Sequence, residues 1–109
     1  MKRQILAAHT GPKYHLDIRE GLRIGDFICA RLWLEEVRKK EPNCNITVIY
    51  NPHHWRSAHG HQLDLAWVFE NIVDEVWQLE RKHEPVTLPG GSKSAGNIYR
   101  QPEHVHIWD

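Results

Sequence analysis

The chain has 109 residues, near the common size of one domain and enough for one hydrophobic core but not two. Lys and Arg together number 14, as do Asp and Glu, so the formal charge is zero; a duplex-binding domain usually carries a basic excess, which disfavours nucleic acid as the partner. No run reaches the roughly 18 apolar residues that a membrane helix needs, and the apolar stretch after the basic start is too short for a signal peptide. With 40% hydrophobic and 26% charged residues, the composition is that of an ordinary globular protein. The expectation is one soluble domain spanning residues 1–109. Cys29 and Cys44 form no CxxC pair and read as reduced thiols of a cytoplasmic protein.

In chain order, Ile5 to Ala8 is a short apolar run that reads as a first strand, buried on both faces. Thr10-Gly11-Pro12 breaks it. From Lys13 to Glu20 the apolar residues Tyr14, Leu16 and Ile18 alternate with polar ones, the pattern of a short edge strand or an ordered loop. Asp26 to Lys40 is the clearest helix. Ala30, Trp33, Leu34 and Val37 fall at i, i+3, i+4 and i+7, and Phe27 extends that face by a turn. Arg31, Glu35, Glu36 and Arg38 fall mostly on the other side. Pro42 and Asn43 stop the helix.

Ile46-Thr47-Val48-Ile49-Tyr50 is β-branched and nearly continuous in apolar character, as central parallel strands are. Asn51-Pro52 ends it, and a histidine-rich polar loop follows from His53 to His61. A second helix is expected from about Gln62 to Glu70, with Leu63, Ala66 and Trp67 on one face and Asn71 as its stop. Glu75 to Leu79 reads as a third strand. Residues 80–104 read mostly as loop, with Pro89 to Asn97 flexible by composition. Val105 to Trp108 offers a fourth strand at the C-terminus. The sum is an α/β fold, a Rossmann-like three-layer domain with a small parallel sheet built as β-α-β-α-β.

In such sheets ligands bind outside the carboxyl ends of the strands. The segments expected there are His9 to Asp26, Asn51 to His61, and Glu80 onward. Gly25-Asp26 opens a helix, where backbone N–H groups meet anions or polar ligands and glycine allows close approach. Asp26 has two readings at that point, a helix cap or a carboxylate that takes a proton from an attacking hydroxyl. Asn51, His53 and Trp55 sit at the same expected edge, and loop residues there are candidates for ligand contact. Gly21-Leu22-Arg23-Ile24-Gly25 lacks the third glycine of the dinucleotide fingerprint.

Gly25-Asp26-Phe27-Ile28-Cys29-Ala30, the helix ending Lys40-Glu41-Pro42-Asn43, the strand Ile46–Tyr50 and the run Asn71-Ile72-Val73-Asp74-Glu75-Val76 form an ordered series. In order and spacing this series resembles the N-terminal, acceptor-side domain of glycosyltransferase family 9, the bacterial heptosyltransferase-like enzymes of GT-B fold. The match covers roughly Gly21 to Leu79. The resemblance implies two Rossmann-like domains around a cleft. The acceptor-side domain takes a sugar acceptor, lipid- or glycan-linked, and the other takes the nucleotide-sugar donor. Asp26 stands where that family has its proposed general base. The departures are a longer segment between the first strand and Gly25, Leu32 where the family often has proline, and the absence of a donor domain within these residues. The implied function is the acceptor-side half of a glycosyltransferase, inactive until completed by a donor domain. A partner subunit or a second copy is then expected to cover the open sheet edge.

The alternative class is a non-catalytic α/β binding or assembly module. Nine histidines raise a metal reading, with His53, His54, His59 and His61 in one loop and His104 and His106 on one strand face. No cysteine spacing or HExxH motif defines a site, so a solvated loop is expected, with no metal and no cofactor. Gly91-Ser92-Lys93-Ser94 lacks the glycine that a phosphate loop needs before its lysine. Trp33 and Trp67 read as core.

Overall fold

The computed structural model describes residues 1–19, 24–51, 66–81, 84–88 and 90–96. The most apolar segment of the sequence forms the middle of the sheet. Asn45–Tyr50 (β3) is buried at every position but its first. It pairs in parallel with Lys13–Ile18 (β2) on one side and Glu75–Gln78 (β4) on the other. Lys2–Ile5 (β1) closes one edge against β4 and Lys93–Ser94 (β5) the other edge against β2, giving the order β1-β4-β3-β2-β5. The helix Ile24–Lys40 (α1) connects β2 to β3, and a 3-10 helix at Ala66–Phe69 precedes β4. The protein is thus a mixed α/β domain whose sheet is mostly parallel. No helix among the described residues is long and apolar enough to cross a membrane.

The period-2 alternation of β2 decides which face α1 covers. Leu16 and Ile18 share a face with Ile46, Val48 and Tyr50 of β3 and Val76 of β4, and this face packs on Phe27, Ala30 and Leu34 of α1. Trp33 and Val37 border that core half-buried, and the Trp33 indole N–H donates to the Ala95 carbonyl at 2.7 Å. The other face carries a smaller apolar cluster of Ile49, Trp77 and Leu79, with Met1 and Val86 against it.

Several expectations need correction. Ile5–Ala8 is not a buried parallel strand. The first strand is Lys2–Ile5, exposed throughout and antiparallel to β4. The Leu6 and Ala7 amides both donate to the Asp74 carbonyl, at 2.8 and 3.1 Å, which turns the chain out of the ladder. The strand that enters the parallel unit before α1 is β2, the segment read as an edge strand or loop. Its lower apolar content follows from having only one face in the main core. Trp67 is 60% exposed rather than core, because the described part of the expected second helix is a 3-10 turn. Tighter winding of about three residues per turn breaks the 3.6-residue periodicity on which that face was read. Asn71 does end the turn, at φ 70°, a left-handed conformation that asparagine tolerates. The 89–97 loop contains β5. Both cysteines are free. The proposed strand at 105–108 lies outside the described residues.

Asp74 joins these parts at the amino ends of the parallel strands. Its carboxylate is 1% exposed. One oxygen accepts the His9 amide at 2.8 Å and lies 2.6 Å from His9 Nδ1. The other accepts the Ile46 amide and Arg38 Nη2, both at 2.8 Å. Arg38 also binds the carbonyls of Ile72 and Cys44, so it clamps the last turn of α1 to the entries of β3 and β4. Arg38 therefore does not lie on a solvent face as its helical position suggested; its long stem carries the guanidinium round to the sheet.

Burial pushes the Asp74 carboxyl up, but the hydrogen bonds from the His9 and Ile46 amides, the His9 ring and Arg38 outweigh it and hold the group below its ordinary value. A carboxylate with a folded pKa below its unfolded one stabilises the fold above the unfolded pKa, about 3.9. That contribution is lost as pH falls through the folded value. Asp74→Ala removes the carboxylate that faces the half-buried Arg38 and leaves the His9 and Ile46 amides without their acceptor, and is expected to cost about 3–5 kcal/mol in urea unfolding at pH 7. Asp74→Asn is expected to flatten the acid limb of stability below about pH 5. An acid limb identical to that of the parent would show that the carboxylate is not what titrates.

Candidate functional site

The three parallel strands end together. Register places Ile18, Tyr50 and Gln78 at one level across β2, β3 and β4. The residues that follow them, Arg19, Asn51 and Leu79, form the carboxyl edge where open α/β sheets hold ligands. The helix α1 follows β2 in the chain, and its first turn lies beside this edge, where Phe27 meets Tyr50.

Gly25 and Asp26 lie in the first turn of α1, which starts at Ile24, two residues earlier than its apolar periodicity indicated. Asp26 is half-buried. As the third helical residue it is placed to complement the positive end of the helix dipole, rather than at the non-helical position from which a cap accepts its bonds. At this position the carboxylate complements the helix dipole whichever of the two roles it fills.

What fixes this turn is aromatic packing. Phe27, fully buried, meets Tyr50 edge-to-face at 5.5 Å between centroids, and Phe69 at 6.2 Å. Such pairs stabilise beyond the area they bury. Tyr50 is the last residue of β3, so the contact ties the first turn of α1 to the end of the central strand and, through Phe69, to the 3-10 helix. The Tyr50 hydroxyl donates to Gln78 Oε1 at 3.3 Å, which links the ends of β3 and β4. Asp26 and Asn51 each adjoin one member of this Phe27–Tyr50 pair in sequence.

Of the residues singled out from the sequence, Gly25, Asp26 and Asn51 come to this one edge. Asn51 is 1% exposed, so its amide is part of the structure beneath the edge rather than a surface contact. His53 and Trp55 lie outside the described residues, as do His54, His59, His61, His104 and His106. Among the described residues no group of three His, Cys, Asp or Glu side chains could hold a metal ion. At the end of β2, Arg19 pairs with Asp17 at 2.6 Å on the exposed surface.

Sequence reasoning missed the Asp74, Arg38 and His9 cluster, which sits at the opposite end of the strands. The available signal was an aspartate directly ahead of an apolar strand, where carboxylates are otherwise depleted. No protein-family model, curated protein or solved structure matches the chain.

Buried amides are hydrogen-bonded, so Asn51→Ala is expected to lower stability by about 1–3 kcal/mol, read from the urea midpoint. Asp17→Asn, in an exposed pair, should change it by less than about 1 kcal/mol. Equal effects of the two changes would mean that Asn51 does not hold the edge together.

Proposed function

We propose that the chain is the acceptor-side domain of a glycosyltransferase-like protein, heptosyltransferase-like in its motif series, with a Rossmann-like β-α-β-α-β core. Asp26 takes the proton of the acceptor hydroxyl. The freed oxygen attacks the sugar carbon of a nucleotide sugar, and the bond from that carbon to the nucleotide phosphate breaks. The donor is held by a second, donor-side unit, because stabilising the departing nucleotide requires groups for which this chain offers no recognisable motif.

The observation that carries the reading is the placement of Gly25-Asp26. A parallel strand, β2, ends at Ile18 and feeds through residues 19–23 into the helix whose first turn holds Asp26. With β2 as the strand ahead of that turn, the segment before Gly25 is short, as the resemblance requires. The Phe27–Tyr50 contact ties that first turn to the end of β3, beside the carboxyl edge that is the ligand side of an open α/β fold, and this supports the reading.

The test is Asp26→Asn in a protein that includes the donor-side unit. Asparagine fits the same space and removes only the proton acceptor and the charge at the helix end. Stability should therefore change by no more than about 1 kcal/mol, while turnover falls about 100-fold or more. Unchanged turnover with intact folding would reduce Asp26 to a helix-end carboxylate and remove it from the mechanism.

A further inference from the structure

The face of the sheet turned away from α1 is polar over much of its width. Register pairs Lys13 with Asn45, Thr47 with Glu75, and Trp77 with Arg3, on four neighbouring strands. The chain after Glu84 passes alongside, and Thr87, Leu88 and Gly90 complete the wall of a cleft of about 460 Å³. That volume falls within the usual range for small-molecule sites.

One buried polar group in the wall of this cleft lacks a partner among the described residues. Trp77 is 3% exposed, yet its indole Nε1–H has no hydrogen-bond acceptor. The Arg3 guanidinium lies 4.2 Å from the centre of the same ring, a cation–π contact that holds the indole in place. Thr47, also 3% exposed, makes no side-chain hydrogen bond among the described residues. Buried donors are almost always satisfied in native proteins, and one left unpaired carries its desolvation cost until something accepts from it.

The chemistry of the lining limits what that something is. Arg3 and Lys13 supply two cations against the single carboxylate of Glu75, so the site favours an anionic group. Asn45 spends one amide N–H on the His9 carbonyl at 2.9 Å, which leaves its second N–H as a donor and Oδ1 as an acceptor. Glu75 is an acceptor as well, whereas the Trp77 N–H is only a donor and the Thr47 hydroxyl is both. The lining thus offers both donors and acceptors. A hydroxyl, which donates and accepts, satisfies both kinds, so an anion that also carries hydroxyls fits the lining better than a bare one.

We infer that this cleft binds a small polyhydroxylated anion, a sugar phosphate or a sugar acid, held by Lys13 and Arg3 at its charged end and by Trp77 and Thr47 at its hydroxyls. The site lies on the sheet face, apart from the carboxyl edge that carries Asp26, and does not depend on the glycosyltransferase reading.

The test follows the indole N–H signals of the ¹⁵N-labelled chain, with Trp77 assigned from Trp77→Phe. Glucose 6-phosphate and gluconate are the probes; glucose and inorganic phosphate are the controls. At least one probe should shift the Trp77 signal saturably, with a dissociation constant of about 1 mM or tighter, and both controls should bind at least about tenfold more weakly. Response to glucose 6-phosphate alone identifies a phosphate end, and response to gluconate alone a carboxylate end. Lys13→Ala, at an exposed position where the fold should be untouched, and Thr47→Val should each weaken binding about tenfold. The proposal is overturned if neither probe gives a saturable shift. It is equally overturned if a control binds as well as the probes, or if Lys13→Ala binds undiminished.

Discussion

The fold depends on a buried carboxylate. Asp74 gathers two backbone amides, an imidazole and a guanidinium at a point that is 1% exposed. Those four groups come from three parts of the chain: His9 at the exit from β1, Ile46 at the start of β3 and Arg38 in the last turn of α1. A buried charge is tolerated only when its bonding capacity is filled, so these segments hold a definite arrangement around it. Its own amide donates to the Ile46 carbonyl at 2.9 Å, which sets the register of β4 on β3 from the same residue.

The two ends of the parallel strands are organised by different physics. The amino end is held by charge-assisted hydrogen bonds, which are directional. The carboxyl end is held by the Phe27, Tyr50 and Phe69 rings, which fix position through packing. An edge where ligands are expected needs groups whose hydrogen-bonding capacity a ligand can complete, and an anchored frame beneath them.

The two faces of the sheet differ in the same way. Against α1 the sheet is apolar and continuous from Leu16 to Val76. On the other face, among the described residues, Ile49, Trp77 and Leu79 form a smaller cluster, and charged and hydroxyl-bearing residues flank it. The exposed β1 carries Lys2 and Arg3, and positive charge on an edge strand discourages pairing with another copy. The sequence-based expectation of self-association through an open edge therefore meets a countervailing feature in β1.

The amino-acid sequence by itself determined the α/β class, the long helix and its buried face, and the strands β3 and β4, because each has a local signature: a 3.6-residue apolar period or a β-branched run. It also placed Gly25, Asp26 and Asn51 at element ends, where ligand-binding residues of such folds reside. Tertiary structure alone decided that β2, not Ile5–Ala8, precedes α1 in the parallel unit. Apolar content measures how many faces are covered, and neighbouring layers determine that number. Tertiary structure also decided that Arg38 turns inward and that His9 meets Asp74, 65 residues away in sequence. No local pattern encodes which distant donor will satisfy a buried carboxylate, since that choice follows from packing the whole chain.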